Sequence, residues 1–373
     1  MSFHQGEDIS DDIDSILSAS VADDDEEEDG YDGYSSRFSL DSVSVSDDVR
    51  DYIFENSRRY HKYYDGLYHF PNDDAEQERE DLQHAMVILL CEGKLHFAPL
   101  DNPQSVLDIG TGTGIWAIEM GDEYPQADIL GIDLSPIQPL WVPRNVQFLV
   151  DNVEEEWVQP ANSLDYIHSR QMAPSIRDWP TIFSEAYNHF LATSKHGLPV
   201  VSPKRALKPG GWIEIQDLKC ITRCEDALPA DEPCHRFTST LVQALRGLGI
   251  DCIHSIDHYE PWLRAAGFAN VQTATLKAPL GTWPDNAHDA KIGLFNRNMI
   301  YSGLHAFSIR PFTHGLGWTP EEVEVYLVDV RKSLLTSQAR LYFPWVAVWA
   351  QKPLEPVVGG EPNAAGPIGV PST

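Results

Sequence analysis

The sequence predicts an α/β fold, a mostly parallel sheet covered on both faces by helices, on three observations. Short apolar runs alternate with helix-period segments, one run passes through a cluster of glycines directly into a helix, and the next two runs end on acidic residues. Alternation implies parallel strands joined by helical crossovers. Ligands of such sheets sit beyond the carboxyl ends of the strands, so the residues that end strands carry the functional argument.

Taken in order, a helix is expected over about Glu76 to Gly93, then a strand from Ser105 to Ile109, a glycine turn and a helix from Ile115 to Tyr124. Strands follow at Asp128 to Asp133, Val146 to Val150 and Ser163 to His168. A helix from about Trp179 to Leu191 and a strand from Gly211 to Asp217 complete the series.

Composition sets the limits. The 373 residues are 42% hydrophobic and 10% aromatic, enough for a large core. A net charge of −30, from 57 acids against 27 bases, opposes any partner held through its phosphates, so direct nucleic-acid binding is not expected. Cysteines at 91, 220, 224, 234 and 252 are too few and too irregular for a disulfide scaffold and read as intracellular thiols. Met1 to Asp12 contains no apolar signal region, and the longest aliphatic run, Met86 to Cys91, is far short of a bilayer span. The expectation is an intracellular protein, cytoplasmic or nuclear, without a membrane partner.

Residues 1–49 hold sixteen acids and one base, Arg37, about half of the net charge. Such a segment cannot bury enough apolar surface to offset its ordering entropy, so 1–49 is expected to be a disordered acidic tail. It serves as a solubilising tail or as an interaction tail for regulatory protein partners. A second flexible tail, rich in Pro, Gly and Ala, is expected at 355–373, leaving 50–354 as the folded domain.

The glycine turn is the most informative stretch. Asp108, Gly110, Gly112 and Gly114 form D-x-G-x-G-x-G, whereas a dinucleotide turn requires G-x-G-x-x-G and here has Ile115 at the last position. Glycines at such a turn allow positive φ and let bare backbone approach a ligand, beside the free N–H groups of a helix start. Asp133, twenty-five residues after Asp108, ends the next strand, where a carboxylate can accept from both hydroxyls of a ribose. Asp151 and Asn152 end the third strand and offer acceptors, with an Asx turn as the competing reading.

This pattern resembles motif I of the class I S-adenosylmethionine-dependent methyltransferases. The resemblance implies a Rossmann-like, seven-stranded, mostly parallel sheet. It also implies that Asp108 faces the methionine amino group, that Gly110, Gly112 and Gly114 pass under the carboxypropyl chain, that Asp133 meets the ribose, that Asp151 and Asn152 meet the adenine, and that Thr111, Leu134 and Val153 belong to the same cofactor site. Further motifs are similar to one branch, the LaeA-like (TAM-domain) methyltransferases of filamentous fungi. They are Glu55-Asn-Ser-Arg-Arg-Tyr-His, Tyr68-His-Phe-Pro-Asn-Asp, Glu78-Arg-Glu-Asp-Leu-Gln-His, Asp151-Asn-Val-Glu-Glu-Glu-Trp, Ser169-Arg-Gln-Met, Lys208-Pro-Gly-Gly-Trp and Leu316-Gly-Trp-Thr-Pro-Glu-Glu. That resemblance divides the domain into a helical cap at 50–100, a cofactor core at 101–220 and a C-terminal substrate and cap part at 221–354. Many members act in secondary metabolism, as tailoring enzymes on small molecules or as regulators acting through proteins.

Methyl transfer requires an aligned acceptor and, where the acceptor atom carries a proton, a base. Candidate bases are His168, His61, Glu214 and Asp217, with His168 placed first. Ser169 and Arg170 are candidates for the cofactor carboxylate or the acceptor, Arg170 being the better anion partner. Tyr60 and Tyr68 close over the cofactor or pack the cap. Trp116, Trp157, Trp179 and Trp212 read as packing. Cys220, Cys224, Cys234 and His235 lack the paired spacing of a zinc site, and no metal is expected.

One departure from the family pattern stands out. Removing Asn188 to Lys204, seventeen residues containing Gly197, Pro199 and Pro203, restores the family's Ala-Tyr-Arg-Ala-Leu-Lys-Pro-Gly-Gly. We read the insertion as a translated, unspliced intron, with a surface loop as the alternative. Sequencing the transcript is expected to show a message lacking these seventeen codons; a message that contains them all establishes the loop.

Overall fold

The computed structural model describes residues 51–62, 66, 68–157, 159–187, 191–193, 199–201 and 206–354. The tails expected at 1–49 and 355–373 lie outside the described residues. A hairpin comes first, β1 (Tyr52–Glu55) with β2 (Arg58–His61), turning through Asn56 and Ser57 at φ of 50° and 62°. Two positive-φ residues match the twist of a two-residue hairpin loop. The cap is therefore not wholly helical: α1 (Asp74–Leu90) supplies the helix, N-capped by Asp73, which accepts from Glu76 N. The same Asp73 binds Arg58 with both carboxylate oxygens at 2.6 and 2.7 Å, fastening hairpin to helix.

The core begins with β3 (Ser105–Ile109), α2 (Ile115–Glu123), β4 (Asp128–Asp133), β5 (Val146–Val150), β6 (Leu164–Arg170) and α3 (Trp179–Tyr187). Two three-residue strands, β7 (Leu191–Thr193) and β8 (Pro199–Val201), pair antiparallel within the inserted segment, so strand replaces the expected continuation of helix to Leu191. Pro199 and Pro203 oppose a helix there. Next come β9 (Leu207–Leu218), the two-residue β10 (Arg223–Cys224), α4 (Pro233–Gly247), α5 (Cys252–Ala266) and β11 (Ala269–Pro279). The chain closes with α6 (Ala287–Arg310), a π-helical turn at Pro311–Gly315, α7 (Pro320–Thr336) and β12 (Leu341–Gln351).

The seven long strands lie in the order β5-β4-β3-β6-β9-β12-β11, with β10 pairing to β12 as a short eighth. Neighbours from β5 to β9 are parallel, and β12 is antiparallel to both β9 and β11. Chain order reverses between β3 and β6, which places the switch point at the carboxyl ends of those strands. All five residues of β3 are buried. Trp116 and Met120 of α2 pack with Ile129, Val146 and Tyr166 against this central strand. Fully buried Met120 and Ile129 each stabilise the fold by roughly 1.5–3 kcal/mol relative to exposure. Among the described residues no helix is long and apolar enough to cross a membrane.

Two buried carboxylates on β9 fasten the surrounding layers. Glu214 accepts from Phe97 N and Ala98 N, tying the segment after α1 to the sheet. Asp217 accepts from Ala173 N and from Tyr259 Oη, and burial pushes its carboxyl up to about 7. A carboxyl raised from 3.8 in the unfolded chain to about 7 in the fold binds its proton more tightly in the fold, so stability declines as pH rises between those values. Asp217→Asn is therefore expected to raise the melting temperature at pH 8 by roughly 3 °C or more, with no gain at pH 4. Equal shifts at the two pH values contradict the assignment.

Candidate functional site

The loop between β3 and α2 is held open by its neighbours. Gly110 N and Thr111 N both donate to Ile132 O at the end of β4, and Gly112 N donates to Asp133 Oδ2 at 2.9 Å. Thr111 Oγ1 donates to Asp108 Oδ2 at 2.7 Å. Gly112 has φ of 56°, and a Cβ there would lie 2.8 Å from Glu80 Oε2. The left-handed backbone at Gly112 disfavours any side chain, which leaves the turn bare beneath Glu80. Asp133 Oδ1 also accepts from Ser135 N, so the carboxylate is oriented by backbone while both oxygens keep capacity toward the cavity. Burial pushes its carboxyl up to about 6.

The floor comes from β6. Side chains of successive strand residues face opposite ways, so His168 and Arg170 point into the cavity while Ser169 points away. His168 Nδ1–H donates to Asp108 Oδ1 at 2.7 Å, and its ring stacks on Trp116 with centroids 3.7 Å apart and planes 8° from parallel. Burial lowers the pKa of His168 against the opposing pull of Asp108, which favours a neutral ring with Nε2 unbonded. Arg170 donates from Nη2 to His84 Nδ1 at 2.6 Å, and His84 Nε2 lies 2.9 Å from Glu119. Among the described residues the Arg170 guanidinium meets no carboxylate at ion-pair distance. Burial lowers its pKa.

The roof comes from the cap. Tyr68 and Phe70 line the cavity together with Glu76, Arg79, Glu80 and Gln83 of α1. Arg79 Nε donates to Glu76 Oε1 at 2.8 Å. Glu80 Oε2 is buried without a partner above Gly112, and burial pushes the Glu80 carboxyl up to about 8, with Glu76 and Asp133 adding to the rise and Arg79 opposing it. Apart from Tyr68, these residues carry no assigned site role in the sequence reading. Their signal is visible in hindsight: Glu76, Glu80 and His84 recur every four residues and give α1 a polar face turned toward the protein.

Of the residues expected at the site, Asp108, Gly110, Thr111, Gly112, Asp133, Leu134 and His168 line the one cavity. So do Arg170 and the end of β5 with its continuation, Asp151, Asn152 and Val153. Three do not. Gly114 is the left-handed N-cap of α2, and a Cβ there would strike the Phe148 ring. Ser169 faces the far side of the sheet. Tyr60 is fully buried under the Arg310 guanidinium, 3.5 Å from its ring centre, in the cap and away from the cavity. Of the other base candidates, Glu214 and Asp217 are consumed by the contacts described above and His61 packs near Tyr68, so none lines the cavity. Trp157, Trp179 and Trp212 are buried packing residues, and Trp116 both packs and lines the floor.

A seven-stranded sheet with β12 inserted antiparallel, a glycine turn at its switch point and acids ending β4 and β5 define a class I methyltransferase. The family described as a methyltransferase domain matches residues 82–273, and the chain belongs to it. Relatives point the same way. The protein named Methyltransferase pytC of Aspergillus terreus is 40% identical over 314 residues, covering 83% of this chain and 91% of that protein. Secondary metabolism regulator LAE1 of Cochliobolus heterostrophus is 32% identical, covering 77% of this chain and 91% of that one. Protein-methionine methyltransferase laeA of Emericella nidulans is 28% identical, covering 80% and 76%. The protein is an S-adenosylmethionine-dependent methyltransferase related to pytC and laeA.

His168→Ala removes a hydrogen-bond partner from the buried Asp108 carboxylate and leaves a gap beside Trp116. It is expected to lower unfolding free energy in a denaturant titration by about 2–4 kcal/mol. A change below about 0.5 kcal/mol contradicts this structural role.

Proposed function

We propose that the donor lies with its methionine end over the glycine turn, its ribose at Asp133 and its adenine between Leu134 and Asp151-Asn152-Val153. The observation that carries this reading is the charge of the cavity. Among the described residues six carboxyl groups line it, those of Glu76, Glu80, Asp108, Asp133, Asp151 and Glu154, against the two guanidinium groups of Arg79 and Arg170. Carboxyls pushed up by burial, as at Glu80 and Asp133, gain from an incoming cation. A dinucleotide would bring the charge of a pyrophosphate into this field, and a sulfonium nucleoside brings the opposite charge.

When bound, S-adenosylmethionine supplies an electrophilic methyl group on a sulfur that leaves neutral. The chain's own residues bind and orient. Asp108, held by His168 and Thr111, accepts from the methionine ammonium. Arg170, short of a carboxylate partner, takes the methionine carboxylate. Asp133, aimed by Gly112 N and Ser135 N, accepts from the ribose hydroxyls. We assign His168 to positioning Asp108: its Nδ1–H is bonded to that carboxylate, its ring is stacked on Trp116, and its remaining nitrogen, Nε2, is buried. The acceptor is a small molecule or a protein. A second reading, a regulator that methylates protein or works through protein partners, is favoured by the names of the laeA relatives.

Cofactor affinity is expected to depend on pH through Asp133. Below about 6 its carboxyl takes up a proton and can no longer accept from both hydroxyls, so affinity for S-adenosylhomocysteine falls by about tenfold per unit of pH. Calorimetry between pH 5 and 7.5 measures this, with Asp133→Asn weaker throughout and flat across that range. A wild-type profile that is flat, or an Asn variant with the same slope, overturns the ribose assignment.

A further inference from the structure

The cavity is divided by chemistry along the chain. Its acids, arginines and histidines come from α1, from the carboxyl ends of β3 to β6 and from the turns that follow β4 and β5. Among the described residues, the chain beyond β9 contributes no acid, arginine, lysine or histidine to the lining. It contributes Phe237, Leu241 and Leu245 from α4 and Met299, Ile300 and Phe307 from α6, with one hydroxyl among them, that of Thr238, which already donates to His235 O. The three from α4 are four residues apart, a single stripe on one helix face.

Resting on the methyl-transfer reading above, we infer that this wall of α4 and α6 is the acceptor site, and that it takes a small, uncharged, predominantly apolar molecule. The wall is preformed. Gly247 of α4 and Gly315 of the π-helical turn meet backbone to backbone, and a Cβ on Gly247 would lie 2.2 Å from Gly315 O. That close approach fixes the orientation of α4 and holds its stripe toward the cavity. The wall is closely packed from behind, with Phe237, Leu245 and Met299 exposing 2%, 0% and 1% of their surface, and Leu241, Ile300 and the half-buried Phe307 offer what is open to the cavity. A charged acceptor, or a peptide with its N–H and C=O groups, would lose water at this wall without replacement partners. An apolar molecule gains by the same transfer. Cys220, also on the lining, is a neutral thiol: its hydrogen bond with Cys252 and its burial hold its pKa well above the ordinary value.

In the reaction the lone pair of the acceptor atom forms the new bond to the methyl carbon as the carbon–sulfur pair returns to sulfur. Any proton on the acceptor atom leaves to water at the polar end of the cavity. The apolar wall aligns the acceptor and supplies no base.

The test uses the full chain saturated with S-adenosylhomocysteine and titrated with the neutral fluorophore N-phenyl-1-naphthylamine. One saturable site per chain is expected, and Leu241→Arg and Met299→Trp should each weaken the probe by at least about tenfold while affinity for S-adenosylhomocysteine stays within about twofold. The retained nucleoside affinity certifies that each variant is folded. The inference is overturned if the wild-type chain shows no saturable probe binding, or if both variants bind the probe as wild type does. It is also overturned if methyl transfer to a methionine-containing oligopeptide proceeds undiminished in the presence of saturating probe. Probe binding without nucleoside binding overturns the methyl-transfer reading and leaves the apolar site standing, so the two failures are distinct.

Discussion

The site depends on how a loop with almost no side chains is kept open at the switch point. Backbone that bare would collapse onto the strand ends or fill with side chains unless fixed from below and beside. Here Ile132 O takes the first two N–H groups of the turn, Asp133 takes the third, and Asp108 holds the Thr111 hydroxyl. The fastening carboxylates also line the cavity, so the groups that hold the turn are the groups that face the open space. Buried carboxylates cost stability unless bonded, which explains why His168 is committed to Asp108 and stacked on Trp116.

That arrangement separates the cavity into a polar end and an apolar end with different sources in the chain. Parallel strands deliver acids at their carboxyl ends because the crossovers return there, and α1 closes over them with a polar face. The apolar end is built later in the sequence, from α6, which packs on β11, and from α4, which packs on the π-helical turn and α7. Under the proposed reading the charged nucleoside and an apolar acceptor are each desolvated by the end that suits them.

Much of this was legible in the sequence because the relevant signals are local. Strand bounds at Ser105–Ile109, Asp128–Asp133 and Val146–Val150 agree with the expectation residue for residue, since apolar runs there stop at glycine or acid. The acids that end those strands point into the cavity for the same reason. What was not legible required tertiary information or a finer reading of period. Ser169 was expected beside Arg170, yet the alternation of a strand sends neighbours to opposite faces. Tyr60 belongs to a hairpin whose turn, Asn-Ser, is a weak signal beside Asn-Gly, so the cap was read as helix throughout. The polar face of α1 looks like a solvated face until the sheet beneath it is known. The stripe of α4 is ordinary amphipathic helix in sequence, and the approach of Gly247 to Gly315 that orients it is a tertiary contact.

The account is tested most directly by a crystal structure of the intact chain grown with S-adenosylhomocysteine. The expected density places the ribose hydroxyls within hydrogen-bond distance of Asp133, the amino-acid carboxylate against Arg170 and the thioether facing the wall formed by Leu241 and Met299. Density for the nucleoside elsewhere, or a glycine turn that shifts away from Asp133 to admit it, would contradict the central claim.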